Sequence, residues 1–185
     1  MKRTYRILLA LLAALLTASA ALAEDYPLLD RAGSQAARVL PAEDWAVLPQ
    51  TPIPGSTPEY YFRPTDGFED VRFYYYTTGE GEPRALAEAA LENYAIFYDD
   101  FTAGAISDAP LADRACLRFS YTCGYLGPDG ESMVYEQTAV AYLPLGDDEF
   151  IACIVSLGFT GGDDFWAEAS LTALLSDIVE RVQMG

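Results

Sequence analysis

Histidine is absent from this 185-residue chain, and lysine occurs once, at Lys2. Without an imidazole, neither a Ser-His-Asp nor a Cys-His arrangement can be assembled, and once the leader described below is removed no lysine remains to assist a nucleophile. The three cysteines, Cys116, Cys123 and Cys153, come with no histidine and no close C-x-x-C pair, so they make no tetrahedral zinc set. Neither glycine-rich nucleotide fingerprint occurs, and the spaced D-x-D-x-D-G run of a calcium loop is missing. No metal, cofactor or catalytic residue is therefore expected.

Positive charge is the second scarcity, with 11 Lys and Arg against 28 Asp and Glu and a net charge of −17. Three of the basic residues, Lys2, Arg3 and Arg6, open the chain ahead of an apolar run over residues 7–16 and the small-residue ending Ala21-Leu22-Ala23 before Glu24. That is the pattern of a secretory signal peptide over residues 1–23, with the mature chain starting at Glu24. The apolar run is too short to span a bilayer, and no cysteine follows it to carry a lipid. Taking 3 basic residues from 11 leaves 8 against the same 28 acidic ones, a net charge of −20. Such a surface repels phosphate backbones and anionic membranes. The expected setting is secreted or periplasmic, and the partner an unknown protein, a small molecule or a glycan, with no nucleic acid and no membrane insertion after cleavage.

What remains is the size of one ordinary domain. Residues 24–38 are polar with a proline and a glycine and read as an N-terminal tether, leaving 39–185 as a single α+β domain. Its organising stretch is 149–158, where Ile151, Cys153, Val155 and Leu157 share one parity and Phe150, Ala152 and Ile154 the other. A strand apolar on both faces has to be central and covered on two sides.

The covering helix is expected after the Gly161-Gly162 break, capped by Asp163 or Asp164 and continuing to Val182. Its apolar face is Trp166, Ala169, Leu171, Ala173, Leu174, Leu175, Ile178 and Val182. A second helix is expected from Pro83 to about Tyr98, with Leu86, Ala87, Ala90, Leu91, Tyr94, Phe97 and Tyr98 inward.

Residues 115–125, 133–143 and 149–158 read as three strands joined by the turns Gly127-Pro128-Asp129-Gly130 and Pro144-Leu145-Gly146-Asp147, an antiparallel meander. Residues 59–63 and 71–77 form a hairpin across Pro64-Thr65-Asp66-Gly67. Short strands are expected in 39–48 and 103–109, and Pro52, Pro54 and Pro58 mark a loop. Two amphipathic helices and a doubly apolar strand combine most simply as an α/β/α sandwich on an antiparallel sheet.

This order, with Asp44-Trp45-Ala46-Val47-Leu48-Pro49 near its start and Leu174-Leu175-Ser176-Asp177-Ile178 near its end, resembles the PsbP/Mog1-like domain over roughly residues 39–182. The resemblance implies a non-enzymatic accessory or binding role and supplies no functional residue, because the family has no shared catalytic signature.

Candidate site residues come from strand parity. In the second hairpin strand, Arg72, Tyr74 and Tyr76 share one face, a row of amphipathic side chains with polar tips, able to stack on a sugar or receive a peptide. These three are the candidate ligand-binding residues. The plainer reading is a sheet face half covered by a loop or helix, with its hydroxyls reaching water. Arg118, alternating with Cys116 and Ser120, is placed on a solvent-facing sheet side.

The acidic runs Asp99-Asp100, Asp147-Asp148-Glu149 and Asp163-Asp164 fit turn and helix-cap duty. A carboxylate-dependent hydrolase acting on glycan or peptidoglycan is the competing function, and it requires two carboxyls about 5–10 Å apart across a cleft. The cysteines are expected to form no bridge. Cys116 and Cys123 lie seven residues apart on one extended strand, and the middle strand of the meander separates both from Cys153.

Overall fold

The axis of the fold is the strand expected to be covered on both faces. The computed structural model of the chain describes residues 26–29, 33–49, 59–65, 69–77, 82–98, 100–127, 129–146, 149–159 and 164–185. The expected leader and the expected roles of Asp99, Asp147, Asp148 and Asp163 lie outside the described residues.

In chain order the elements are β1 (Tyr26–Leu29), β2 (Gln35–Val39), β3 (Trp45–Val47), β4 (Tyr60–Pro64), β5 (Glu69–Thr77), α1 (Pro83–Phe97), β6 (Thr102–Ala103), β7 (Leu117–Leu126), β8 (Met133–Pro144), β9 (Glu149–Phe159), α2 (Glu168–Glu180) and β10 (Val182–Met184). A seven-stranded sheet runs β3-β4-β5-β9-β8-β7-β6, and a three-stranded sheet runs β1-β2-β10. Every described pairing is antiparallel.

The meander of β7, β8 and β9 has the expected order, and β5 docks on the free edge of β9, with Phe73 opposite Cys153 and Tyr75 opposite Ile151. Directly opposed residues share a face, so alternation along these strands divides the interior in two. On one face Val71, Phe73, Cys153 and Val155 pack with Leu171, Leu175, Ile178 and Val179 of α2. On the other, Phe119, Val140, Tyr142, Phe150 and Ala152 pack with Ala87 of α1. This is an α+β fold with helices on both faces of an antiparallel sheet, as the doubly apolar strand requires.

Several segments differ from expectation. Part of the expected tether is structured: Tyr26–Leu29 and Gln35–Val39 pair as strands, with Leu28, Ala37 and Val39 fully buried against the α2 side. The closing helix stops at Glu180, and Val182–Met184 becomes a strand on β2, Val182 opposite Val39. Val182 continues the four-residue spacing from Ile178, so periodicity alone extends the helix, but the free edge of β2 offers backbone partners that a helix cannot use. Leu40 N–H also donates to Arg181 O at 2.8 Å.

At its other end α2 begins at Glu168 with no side-chain cap. Asp164 lies outside it, and Trp166 is held in the preceding loop by Gln137. The Trp166 N–H donates to Gln137 Oε1 at 2.8 Å, and Gln137 Nε2 donates back to Trp166 O at 3.0 Å. Ala169 and Ala173, expected on the apolar face, are exposed, as is Phe97 of α1. The short strand expected over 103–109 shrinks to Thr102–Ala103, followed by a bridge between Ser107 and Arg118.

All three cysteines are free and buried, with Cys153 at 0% exposure between Phe73 and Ala141. Burial pushes each thiol above its ordinary value, Cys123 up to about 11. Thiolate is the reactive form, so native protein at pH 8 is expected to react with iodoacetamide far more slowly than unfolded protein. Unfolded, unreduced protein should gain three labels by mass spectrometry, and one label would reveal a bridge.

Candidate functional site

Helix α1 starts cleanly, with Pro83 in its first turn after an extended Glu82; proline suits that position because its missing N–H would have no helical partner. It ends where Tyr98 turns extended and donates its N–H to Tyr94 O at 3.0 Å. Ala87 alone is buried along its length, and small residues at Ala89 and Ala90 leave space between helix and sheet. The space is a cleft of about 390 Å³.

Its sheet wall begins on β5. Arg72, Tyr74 and Tyr76, the three candidates of the aromatic strand, all line it, opposite Ile154, Ala152 and Phe150 of β9. The row is therefore half-buried beneath α1 rather than open to solvent. Tyr74 and Tyr76 stack at 6.0 Å, and Tyr76 stacks on Phe150 at 5.2 Å with a 20° interplanar angle. The far wall is Tyr121 of β7 and Tyr142 of β8, with Tyr94 of α1 packed on Tyr121 at 4.9 Å.

Burial raises the phenol pKa of Tyr74 and holds those of Tyr121 and Tyr142 well above the usual range. These hydroxyls therefore stay protonated at neutral pH and serve as hydrogen-bond donors or acceptors. Asn93 of α1 adds an amide. No Asp or Glu is among the described residues that line the cleft.

A polar chain leads away from Arg72. Arg72 Nη2 donates to Ser156 Oγ, Ser156 and Thr138 hydroxyls lie 2.8 Å apart, and Thr138 Oγ1 donates to Glu136 Oε1 at 2.8 Å. Beside it, Asp70 is engaged twice: Tyr61 donates to Oδ2 at 2.6 Å and Arg63 to Oδ1 at 2.5 Å. Arg72 Nε is buried with no acceptor.

Parity brought Arg72, Tyr74 and Tyr76 together correctly. It could also have flagged Tyr121, which alternates with Leu117 and Phe119, but Tyr94, Tyr142 and Asn93 join the site only through the long-range docking of α1. Arg118 is on the opposite face. It donates from Nη1 to Thr172 Oγ1 of α2 at 3.3 Å, beside a smaller cavity of about 210 Å³. The sheet side placed in solvent is thus partly covered by α2.

Of the acidic runs, Asp100 and Asp164 are exposed and Glu149 is half-buried, and none meets another at the cleft. Asp129 shows the local duty such residues perform. Its carboxylate accepts from the backbone N–H groups of Glu131 and Ser132 and from the Ser132 hydroxyl, which hold its pKa down to about 2. Among the described residues there is no group of three potential metal ligands and no helix long and apolar enough to cross a membrane.

No family model and no curated protein matches the chain. Five chains of solved structures match. One is LpqN, described as involved in cell envelope biogenesis of Mycobacterium tuberculosis, at 15% identity and a TM-score of 0.49, covering 87% of this chain and 90% of that one. Nothing about the cleft is transferred from a likeness of that size.

Proposed function

We propose that the chain is a secreted or periplasmic, non-enzymatic binding domain whose ligand lies in the cleft between α1 and the sheet. The observation that carries this reading is the tyrosine-walled cavity of about 390 Å³ with Arg72, Tyr74 and Tyr76 on one side. Small-molecule sites are concave, mostly apolar and about 300–1,000 Å³, with a few polar groups that orient the ligand. The export part rests on Lys2, Arg3 and Arg6 ahead of the apolar run and the Ala21-Leu22-Ala23 ending. Assignment to the PsbP/Mog1-like domain is supported by element order and by the segments 44–49 and 174–178. A carboxylate hydrolase is less well supported, because general acid and base groups have to converge where the substrate lies.

The test fills the cleft without touching the core. Ala89 is exposed on α1 yet lines the cavity, so Ala89→Trp should project an indole into it. Saturation-transfer NMR with neutral fragments, 1-naphthylacetamide and methyl glucosides included, is expected to find ligands that bind the native protein and lose at least about ten-fold in affinity to Ala89→Trp. The thermal midpoint should shift by only a few degrees. Fragments that bind both proteins equally would place the site elsewhere.

A further inference from the structure

We infer that the ligand of this cleft is a monoanion with an apolar body, its carboxylate received by Arg72; the inference rests on the cleft being the binding site. A guanidinium stays charged at any accessible pH and carries five N–H donors. Taking it out of water is costly unless acceptors replace the solvent.

Arg72 is half-buried in the cleft wall. Its described hydrogen-bond partners are the neutral hydroxyls of Ser156 and Tyr74, and its Nε has no acceptor. Ion pairs among the described residues join Arg63 to Asp70, Arg84 to Asp108 and Arg181 to Asp177, leaving Arg72 without one. Of the carboxylates that share its sheet face, Asp70 is taken by Arg63 and Tyr61, and Glu136 acts on Arg72 from the far end of the chain through Ser156 and Thr138 without pairing with it directly. The cleft thus presents a cation with no direct ion-pair partner among the described residues, at the base of aromatic walls that include no described acidic residue.

Complementarity requires an anionic group at Arg72 and a ring or chain between Tyr76, Tyr94 and Tyr142. The whole-protein field limits how much negative charge can enter. With a net charge of −17 over the full chain, each additional negative charge on a ligand is opposed by the surface while Arg72 alone attracts it. A single carboxylate is compatible with both, whereas a phosphate dianion or polyanion is disfavoured.

Calorimetric titration of the native protein with 1-naphthylacetate and its neutral isostere 1-naphthylacetamide tests this directly. The acid is expected to bind about ten-fold more tightly or better, and 1-naphthyl phosphate, doubly charged at pH 8, more weakly than the acetate. In Arg72→Gln the preference for acid over amide should collapse to about one, and Arg72→Lys should retain part of it. The comparison on the native protein stands even where Arg72→Gln is poorly folded. Equal affinity for acid and amide, with both lost in Ala89→Trp, would overturn the anion inference and leave the cleft as the binding site. Tighter binding of the phosphate would overturn the restriction to a single charge. Failure of both naphthyl compounds to bind at millimolar concentration would overturn the inference and the cleft reading together.

Discussion

Phe62→Ala is expected to lower the free energy of unfolding by about 3–5 kcal/mol, the range for a fully buried phenylalanine replaced by a cavity. The side chain sits on β4 at 0% exposure. Its ring meets Tyr26 of β1 edge-on at 5.0 Å and Phe73 of β5 edge-on at 5.9 Å. It also lies 5.8 Å from Trp45 of β3 and 6.0 Å from Tyr60 of its own strand. Phe62 is thus the aromatic hub between the small sheet and the edge half of the large one.

The loss of β1 contacts predicts an early release of the N-terminal hairpin as well as global destabilisation. Urea unfolding followed by near-ultraviolet circular dichroism, with hydrogen exchange at Leu28 and Ala37, checks both parts. Val47→Ala on β3, where the side chain is 47% exposed, should stay within about 0.5 kcal/mol of the native protein. A Phe62→Ala loss under about 1 kcal/mol would show that the two sheets are not joined through this ring.

Local signals carried the parts of the fold that are local. The meander of β7, β8 and β9 was legible because two turn sequences punctuate it and because Phe150 to Leu157 is apolar at both parities, which only a covered central strand tolerates. The start of α1 was legible from Pro83. The pairing of β5 with β9 was not, since Arg72 and Ile154 come together across the whole length of α1 and the meander, and no turn encodes that contact.

The small sheet was hidden for another reason. Its strands are four, five and three residues long, too short to display a period, and Val182 falls in step with the helix before it.

The candidate site divides in the same way. Alternation along β5 identified the face shared by Arg72, Tyr74 and Tyr76, because side-chain parity is a property of the strand itself. Whether that face meets water or a helix depends on which side α1 takes, and an amphipathic stripe states only that α1 has a sheet to cover. The reading of Arg118 failed at this step: Cys116, Arg118 and Ser120 do share a face, but α2 lies over part of it. Ser156 and Thr138, which link Arg72 to Glu136, read in isolation as ordinary strand hydroxyls. Their role depends on the register that sets Asp70 opposite Ser156 and Thr138 opposite the same residue.

In α2, periodicity treats Leu174 and Ile178 as equivalent members of one apolar face, and the structure separates them. Ile178 is fully buried in the core beneath the sheet. Leu174 is half-buried and borders an open cavity of about 380 Å³ shared with Trp45, Asp177 and Arg181. The Arg181 guanidinium lies 5.1 Å from the Trp45 ring centre and also pairs with Asp177 at 3.1 Å, so this flank of the helix is held partly by polar contacts that Leu174 does not make.

Ile178→Ala should therefore cost about 2–5 kcal/mol, a buried aliphatic side chain lost from a packed site. Leu174→Ala should cost less, about 1–2 kcal/mol, because part of that side chain already faces solvent and the new space opens outward instead of becoming an enclosed void. Urea midpoints for the two variants, measured at equal slope, give the difference directly. Equal losses would mean that Leu174 is enclosed as deeply as Ile178, and that the helix lies flatter on the sheet than the open cavity beside Trp45 allows.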